Sequence, residues 1–234
     1  GDFGNDGVVN RYFQTAHYMD QALEQFFDQL KSAGLYDNTV IILYGDHYGI
    51  STNHNEAMAE VIGEEITPYQ KAQLQRVPRF IQVPGREGKV VHKYGGEIDV
   101  RPTLLHLLGI ETKDYMSFGT DLLSDEHRGI VPFRNGDFVT EKYTQVSGKC
   151  YRNPDGKQVE KQLCEPFNKI VKKELAFSDQ IVYGDLLRFY EPKGFVPVDR
   201  SEISYAEPQT NIITPQMRQN GVVPSHRDHN RENE

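Results

Sequence analysis

Asp46 and His47 stand side by side in Gly45-Asp-His-Tyr-Gly49, directly after the apolar run Thr39-Val-Ile-Ile-Leu-Tyr44. The aspartate offers a hard oxygen and the histidine a neutral imidazole nitrogen. That pairing suits Mn2+ or another divalent metal such as Mg2+ or Zn2+. The flanking glycines let the backbone turn tightly enough for neighbouring side chains to converge. Two donors do not complete a site, because a catalytic metal takes about three protein groups together with water or substrate. Further ligands must come from elsewhere. An Asp-His pair after a strand also has a plainer reading, in which it caps a turn or the next helix. Against that reading stands the density of polar groups that follows, with Ser51, Thr52, Asn53 and His54 in one stretch. Ser51 and His54 are candidates for contact with a phosphate or hydroxyl of a substrate. Their structural alternatives are a turn serine and an exposed histidine beside a helix cap.

The elements around this loop follow an α/β rhythm. Val9, Phe13, Ala16, Leu23, Phe27 and Leu30 recur at three- and four-residue steps, and Gly34 supplies a stop, which predicts an amphipathic helix. The run 39–44 is apolar on both faces, as in a central strand covered by helices. Ligands in such sheets gather at the carboxyl ends of the strands, where Asp46 and His47 fall. Asn53 to Glu56 reads as a capping box before a helix over 57–62, and a second helix runs from Thr67 to Leu74. Pro78 to Val83 reads as a strand. A helix follows from Asp99, its expected cap, through Pro102 to Gly109.

After Leu123 the texture changes. Asn135-Gly136 and Asn153-Pro-Asp-Gly156 are turn signals between apolar flanks, so a small antiparallel sheet is expected. A charged helix from Glu165 or Asn168 through Leu187, with Leu175, Ile181 and Leu186 among its apolar positions, would cover it. Arg134, Asn135 and Asp137 resemble a catalytic cluster, but hairpin turn chemistry explains them better. His106 fits a hydrogen-bonded boundary position, and His17 a solvated one. His226 and His229 lie in a polar tail where metal binding would be adventitious. The expected division is 1–125 for the α/β core, 126–205 for the small sheet with its helix, and 206–234 for a disordered tail.

The net charge of −8 argues against nucleic acid, since binding a polyphosphate draws on a surplus of Lys and Arg. No stretch approaches the roughly 20 apolar residues that span a bilayer. Cys150 and Cys164 either stay as thiols or, outside the cell, close a loop worth about 3 kcal/mol.

Several blocks carry a resemblance: GDHYGIS after its strand, IDVRPTLLHLLGI, FGTDLL, VPFRNGDFVT, GDLLRFY and the opening VNRYFQTAHYMDQAL. Together, in one order from Asn5 to Tyr205, they resemble the extracellular catalytic domain of the lipoteichoic acid synthase family, in the sulfatase and alkaline phosphatase superfamily. The resemblance implies that the chain is the carboxyl-terminal part of a sheet sandwiched by helices. It also implies an enzyme that uses manganese and a threonine nucleophile to take glycerol phosphate from phosphatidylglycerol. Diacylglycerol is released, and the group passes from threonine to a growing polyglycerol phosphate chain. By position, Asp46 and His47 match the family's metal pair, and Ser51 matches a position near the bound glycerol phosphate.

The family's remaining metal carboxylate, its threonine and its membrane helices lie upstream of the block resembling VNRYFQTAHYMD. No catalytic nucleophile is therefore expected here, Thr52 included. The chain is expected to be a carboxyl-terminal half, inactive alone and completed in cis or in trans. The implied location is the extracellular face of a Gram-positive membrane, tethered in the full protein or released by proteolysis. Two rival readings remain: a sulfatase, phosphatase or phosphoethanolamine transferase on the same scaffold, and a non-catalytic binding or assembly module.

Overall fold

The computed structural model describes residues 7–47, 49–112 and 115–191. The expected tail, 206–234, and the last part of the expected second unit, 192–205, lie outside the described residues.

Helix α1 spans Gly7–Ser32. Gly34, with φ 68°, ends it: the Leu35 N–H donates to the Leu30 carbonyl at 2.9 Å and the Gly34 N–H to that of Lys31 at 3.0 Å. The turn that follows folds back on the helix, and Phe27 meets Tyr36 edge to face at 6.1 Å between ring centroids.

Strand β1, Ile41–Tyr44, pairs antiparallel with β2, Arg79–Gln82, placing Ile41 opposite Gln82 and Tyr44 opposite Arg79. Both strands are shorter than the runs 39–44 and 78–83 suggest. Pro78 has no N–H to give a ladder. Among the described residues β1 has one strand neighbour, and it is not covered on both faces: Tyr44 is 47% and Phe80 64% exposed. An apolar run records what a strand can bury and says nothing of how many neighbours reach it.

Between the two strands lie α2, Asn55–Ile62, and α3, Pro68–Gln73. Thr67 caps α3, its hydroxyl accepting the Gln70 N–H at 3.3 Å, with Pro68 in the first turn. The start of α2 departs from expectation. A 3-10 turn, Thr52–His54, precedes it, and Ser51 caps that turn in place of an Asn53–Glu56 box.

Helix α4 is Val100–Leu107. Asp99, 2% exposed, precedes it, but contrary to expectation its side chain makes no cap hydrogen bond to the helix. One carboxylate oxygen accepts the Gly96 N–H at 2.8 Å, and the other reaches forward to the Thr120 N–H at 2.7 Å. The Thr103 hydroxyl donates to the Asp99 carbonyl at 2.6 Å and accepts the Leu122 N–H at 2.9 Å. Residues 120–122 are thus strapped to the start of α4. His127 bridges the Thr120 hydroxyl, at 2.7 Å, and the Tyr94 carbonyl, at 2.6 Å. His106 has a polar partner, Asp121 at 2.5 Å, but its side chain is mostly exposed rather than at the boundary expected of it.

The second sheet is an antiparallel meander in chain order: β3 (Ile130–Pro132), β4 (Phe138–Thr140), β5 (Tyr143–Val146), β6 (Lys149–Arg152) and β7 (Gln158–Val159). At the β3–β4 turn the Asp137 N–H donates to Asn135 Oδ1 at 3.0 Å, and Arg134 pairs with Asp179 at 2.6 Å, so this cluster is structural. One tight hairpin is not among the turn signals above: Ser147 and Gly148 join β5 to β6 with φ of 50° and 76°. Positive φ at both central positions is what a type I′ hairpin turn needs.

Helix α5, Glu165–Tyr183, covers one face of this sheet. Phe138, Cys150, Cys164 and Val171 are buried between them, and Phe167 tilts against Phe138 and Tyr143. The pleat turns alternate residues to the other face, which meets α3. There Tyr69 lies against Tyr151 at 6.1 Å, and Gln73 Nε2 donates to the buried Thr144 hydroxyl at 3.1 Å. α5 is shorter than expected. It ends at Gly184, Asp185 turns the chain with φ 48°, and Leu186 stands 43% exposed in the 3-10 turn Leu186–Phe189.

Candidate metal and phosphate-group site

In a regular strand Asp46 and His47 would point to opposite faces. They do not, because β1 ends at Tyr44 and the chain bends at 46 and 47. The Gly45 N–H still donates to the Pro78 carbonyl, at 3.4 Å, so the bend starts from a fixed point on the sheet. Beyond it Asp46 Oδ1 and His47 Nε2 lie 3.6 Å apart, with side chains 86% and 73% exposed.

That separation is close to what one shared ion requires. Two donors each about 2.1 Å from a metal sit roughly 3.0 to 3.5 Å apart in octahedral or tetrahedral geometry. The pair therefore fits a divalent cation as two of its ligands. Among the described residues no group of three or more His, Cys, Asp or Glu gathers at one point.

Ser51 and His54 bracket the 3-10 turn that leads into α2. The Ser51 hydroxyl accepts the Asn53 N–H at 3.4 Å, and its carbonyl accepts the His54 N–H at 3.1 Å. The long hydroxyl contact leaves that oxygen free to donate its proton elsewhere. His54 is half-buried, so the fully exposed placement considered for it does not hold. The two residues keep turn positions next to Asp46 and His47 in sequence.

Tyr12 is a further neighbour that nothing in its spacing singles out. It reaches from α1 to the loop, and its phenol fills the space over Gly49. This contact joins segments far apart in the chain, and no local pattern encodes it.

Among the described residues no helix is long and apolar enough to cross a membrane.

Comparison with known proteins places this loop in a family. The sulfatase family profile matches residues 2–110, the part that carries Asp46, His47, Ser51 and His54. Lipoteichoic acid synthase 2 of Bacillus subtilis (strain 168) is 58% identical over 209 residues, covering 88% of this chain and 32% of that protein. The lipoteichoic acid synthase of Staphylococcus aureus (strain USA300) is 48% identical over 202 residues, with 86% and 31% covered. The crystal structure of the lipoteichoic acid synthase LtaP from Listeria monocytogenes superposes with a TM-score of 0.63 at 29% identity, over 76% of this chain and 47% of that one. This chain spans about a third of the length of the curated relatives it matches. The profile match, the sequence identity over most of the chain and the superposed α/β fold agree: the chain belongs to the lipoteichoic acid synthase family of sulfatase-like proteins.

Proposed function

We propose that this chain is the metal-holding part of a phosphoglycerol transferase that builds polyglycerol phosphate from phosphatidylglycerol at the outer face of the membrane. The observation that carries the reading is the convergence of Asp46 Oδ1 and His47 Nε2 to 3.6 Å at the exit of β1, open to solvent. Manganese, magnesium or zinc, when bound, would offset charge on nonbridging phosphate oxygens and lower the pKa of a coordinated hydroxyl. The chain's own residues do the holding. Asp46 and His47 occupy two coordination positions in a fixed relation, the Ser51 hydroxyl donates to a phosphate oxygen, and His54 lines the same approach.

The nucleophilic threonine and the remaining ligands come from another segment, in cis or in trans. The half-covered β1–β2 pair supports this, because Tyr44 and Phe80 present apolar surface and a strand edge suited to further pairing. With a net charge of −8 the chain has no electrostatic pull toward an anionic bilayer and relies on a tether for proximity to lipid.

The test uses the complete protein that carries this chain. Given phosphatidylglycerol and Mn2+, it releases diacylglycerol, and Asp46→Asn or His47→Gln lowers turnover about 100-fold. Hydrolysis of a sulfate ester without diacylglycerol release moves the assignment to a sulfatase. Full turnover in both variants removes the site.

A further inference from the structure

A Cβ added at Gly49 would overlap the Tyr12 phenol, falling against its hydroxyl and ring with Cε2 2.5 Å away. The ring of Tyr12 therefore lies directly on the backbone between His47 and Ser51. Gly49 does not adopt the left-handed φ that favours glycine, so its missing side chain answers to the tyrosine rather than to backbone geometry. At its ends the loop is anchored by the hydrogen bond from Gly45 to Pro78 and by the Ser51–His54 turn, and Tyr12 meets it between the two.

We propose that Tyr12 is a positioning residue for the Asp46–Ser51 loop. Its ring braces Gly49 and holds the bend that makes the adjacent Asp46 and His47 side chains converge. The bulk of the phenol does this work, its hydroxyl included, since that oxygen is the Tyr12 atom nearest to the place of a Gly49 Cβ. Its consequence for metal affinity rests on the reading of Asp46 and His47 as ligands; the brace itself is a property of the loop. Loops that carry ligands open locally at low cost unless something packs on them, and small displacements of aligned groups weaken function steeply.

Two measurements on the complete protein that carries this chain separate these claims: hydrogen–deuterium exchange of the peptide spanning 45–51, and Mn2+ affinity by EPR titration. Tyr12→Phe, which keeps the ring and loses only its outermost atom, should shift both less than Tyr12→Ala does. Tyr12→Ala and Gly49→Ala should each speed exchange and weaken Mn2+ binding about tenfold. The double variant should be no worse than Tyr12→Ala, because removing the ring leaves room for the added methyl. An unchanged melting transition of the disulfide-linked sheet confirms folding, and Tyr12→Leu takes the place of Tyr12→Ala if that variant unfolds. Wild-type exchange in Tyr12→Ala, or additive effects in the double variant, overturns the brace. Absent Mn2+ binding in wild type, or binding that survives Asp46→Asn, overturns the metal reading instead, and exchange alone then decides the role of Tyr12.

Discussion

Cys150 and Cys164 form a disulfide that ties β6 to the residue before α5, with both sulfur-bearing residues almost wholly buried, at 1% and 0% exposure. The bond sits in the centre of the small core, against Phe138 and Val171. Disulfides persist in oxidising compartments, which agrees with the outer-face location proposed above.

Cutting that bond removes a constraint on the unfolded chain across a separation of fourteen residues. Reduction, or joint Cys150→Ala and Cys164→Ala, should lower the stability of the sheet–α5 unit by about 3 kcal/mol. Urea unfolding with and without reductant measures it. A loss under about 1 kcal/mol would mean that packing of Phe138, Phe167 and Val171 holds the unit unaided.

Asp99 offers a second test, because its two oxygens satisfy the N–H groups of Gly96 and Thr120 inside the fold. Asp99→Ala leaves both donors buried without a partner and should cost about 3 kcal/mol. Asp99→Asn keeps one acceptor and should cost about half as much. Chemical denaturation of the three proteins ranks them, and equal stability would show that the strap between α4 and residues 120–122 carries no energy.

Alkaline pH should loosen the contact between α3 and the small sheet. Burial pushes the Tyr69 phenol above its ordinary value, with Tyr94 and Asp155 adding to the rise and Arg76 opposing it. The folded chain holds that proton longer than the unfolded one. The stabilisation is therefore complete below the ordinary phenol pKa, near 10, and is lost as pH rises from there through the higher folded value. Tyr69→Phe should flatten the pH dependence of the unfolding midpoint in that window. An equal slope in both proteins contradicts the assignment.

Acid acts on the turn between β6 and β7, which Tyr69 touches through the Pro154 carbonyl. The hydrogen bond from the Arg152 guanidinium, and then that from the Lys157 N–H, hold the Asp155 carboxyl below its ordinary range. A depressed carboxyl stabilises the fold above its unfolded pKa, near 4, and loses that contribution as pH falls through the lower folded value. Asp155→Asn should remove this part of the acid dependence, read by NMR titration of the Arg152 side chain and by unfolding below pH 4.

Ser51 separates a turn role from a substrate role. Its hydrogen bond to the Asn53 N–H is long, at 3.4 Å, so Ser51→Ala should change stability by less than about 0.5 kcal/mol. If the hydroxyl meets a phosphate oxygen, the same change raises KM in the complete enzyme several-fold. A stability loss without any kinetic effect assigns Ser51 to the turn alone.

Much of this architecture is legible in the sequence because it is fixed by near neighbours. The apolar steps of α1 with Gly34 behind them, Thr67-Pro68 at the head of α3 and Asn135-Gly136 between β3 and β4 each act within a turn or two of the chain. Where expectation and structure part, either a local break is passed over or a longer contact has intervened. α5 stops before Leu187 because Gly184 and Asp185 break it, and Asp99 becomes a strap because Thr120 folds back onto it.

The site divides in the same way. Residue types alone determine that positions 46 and 47 carry an oxygen and a nitrogen donor after a strand, since ligand chemistry belongs to the side chain. Only the folded chain decides that the two converge, that His54 is half-buried and that Tyr12 rests on Gly49. Those are distances between segments. Many folds could set them differently with the same local pattern, and packing chooses among them.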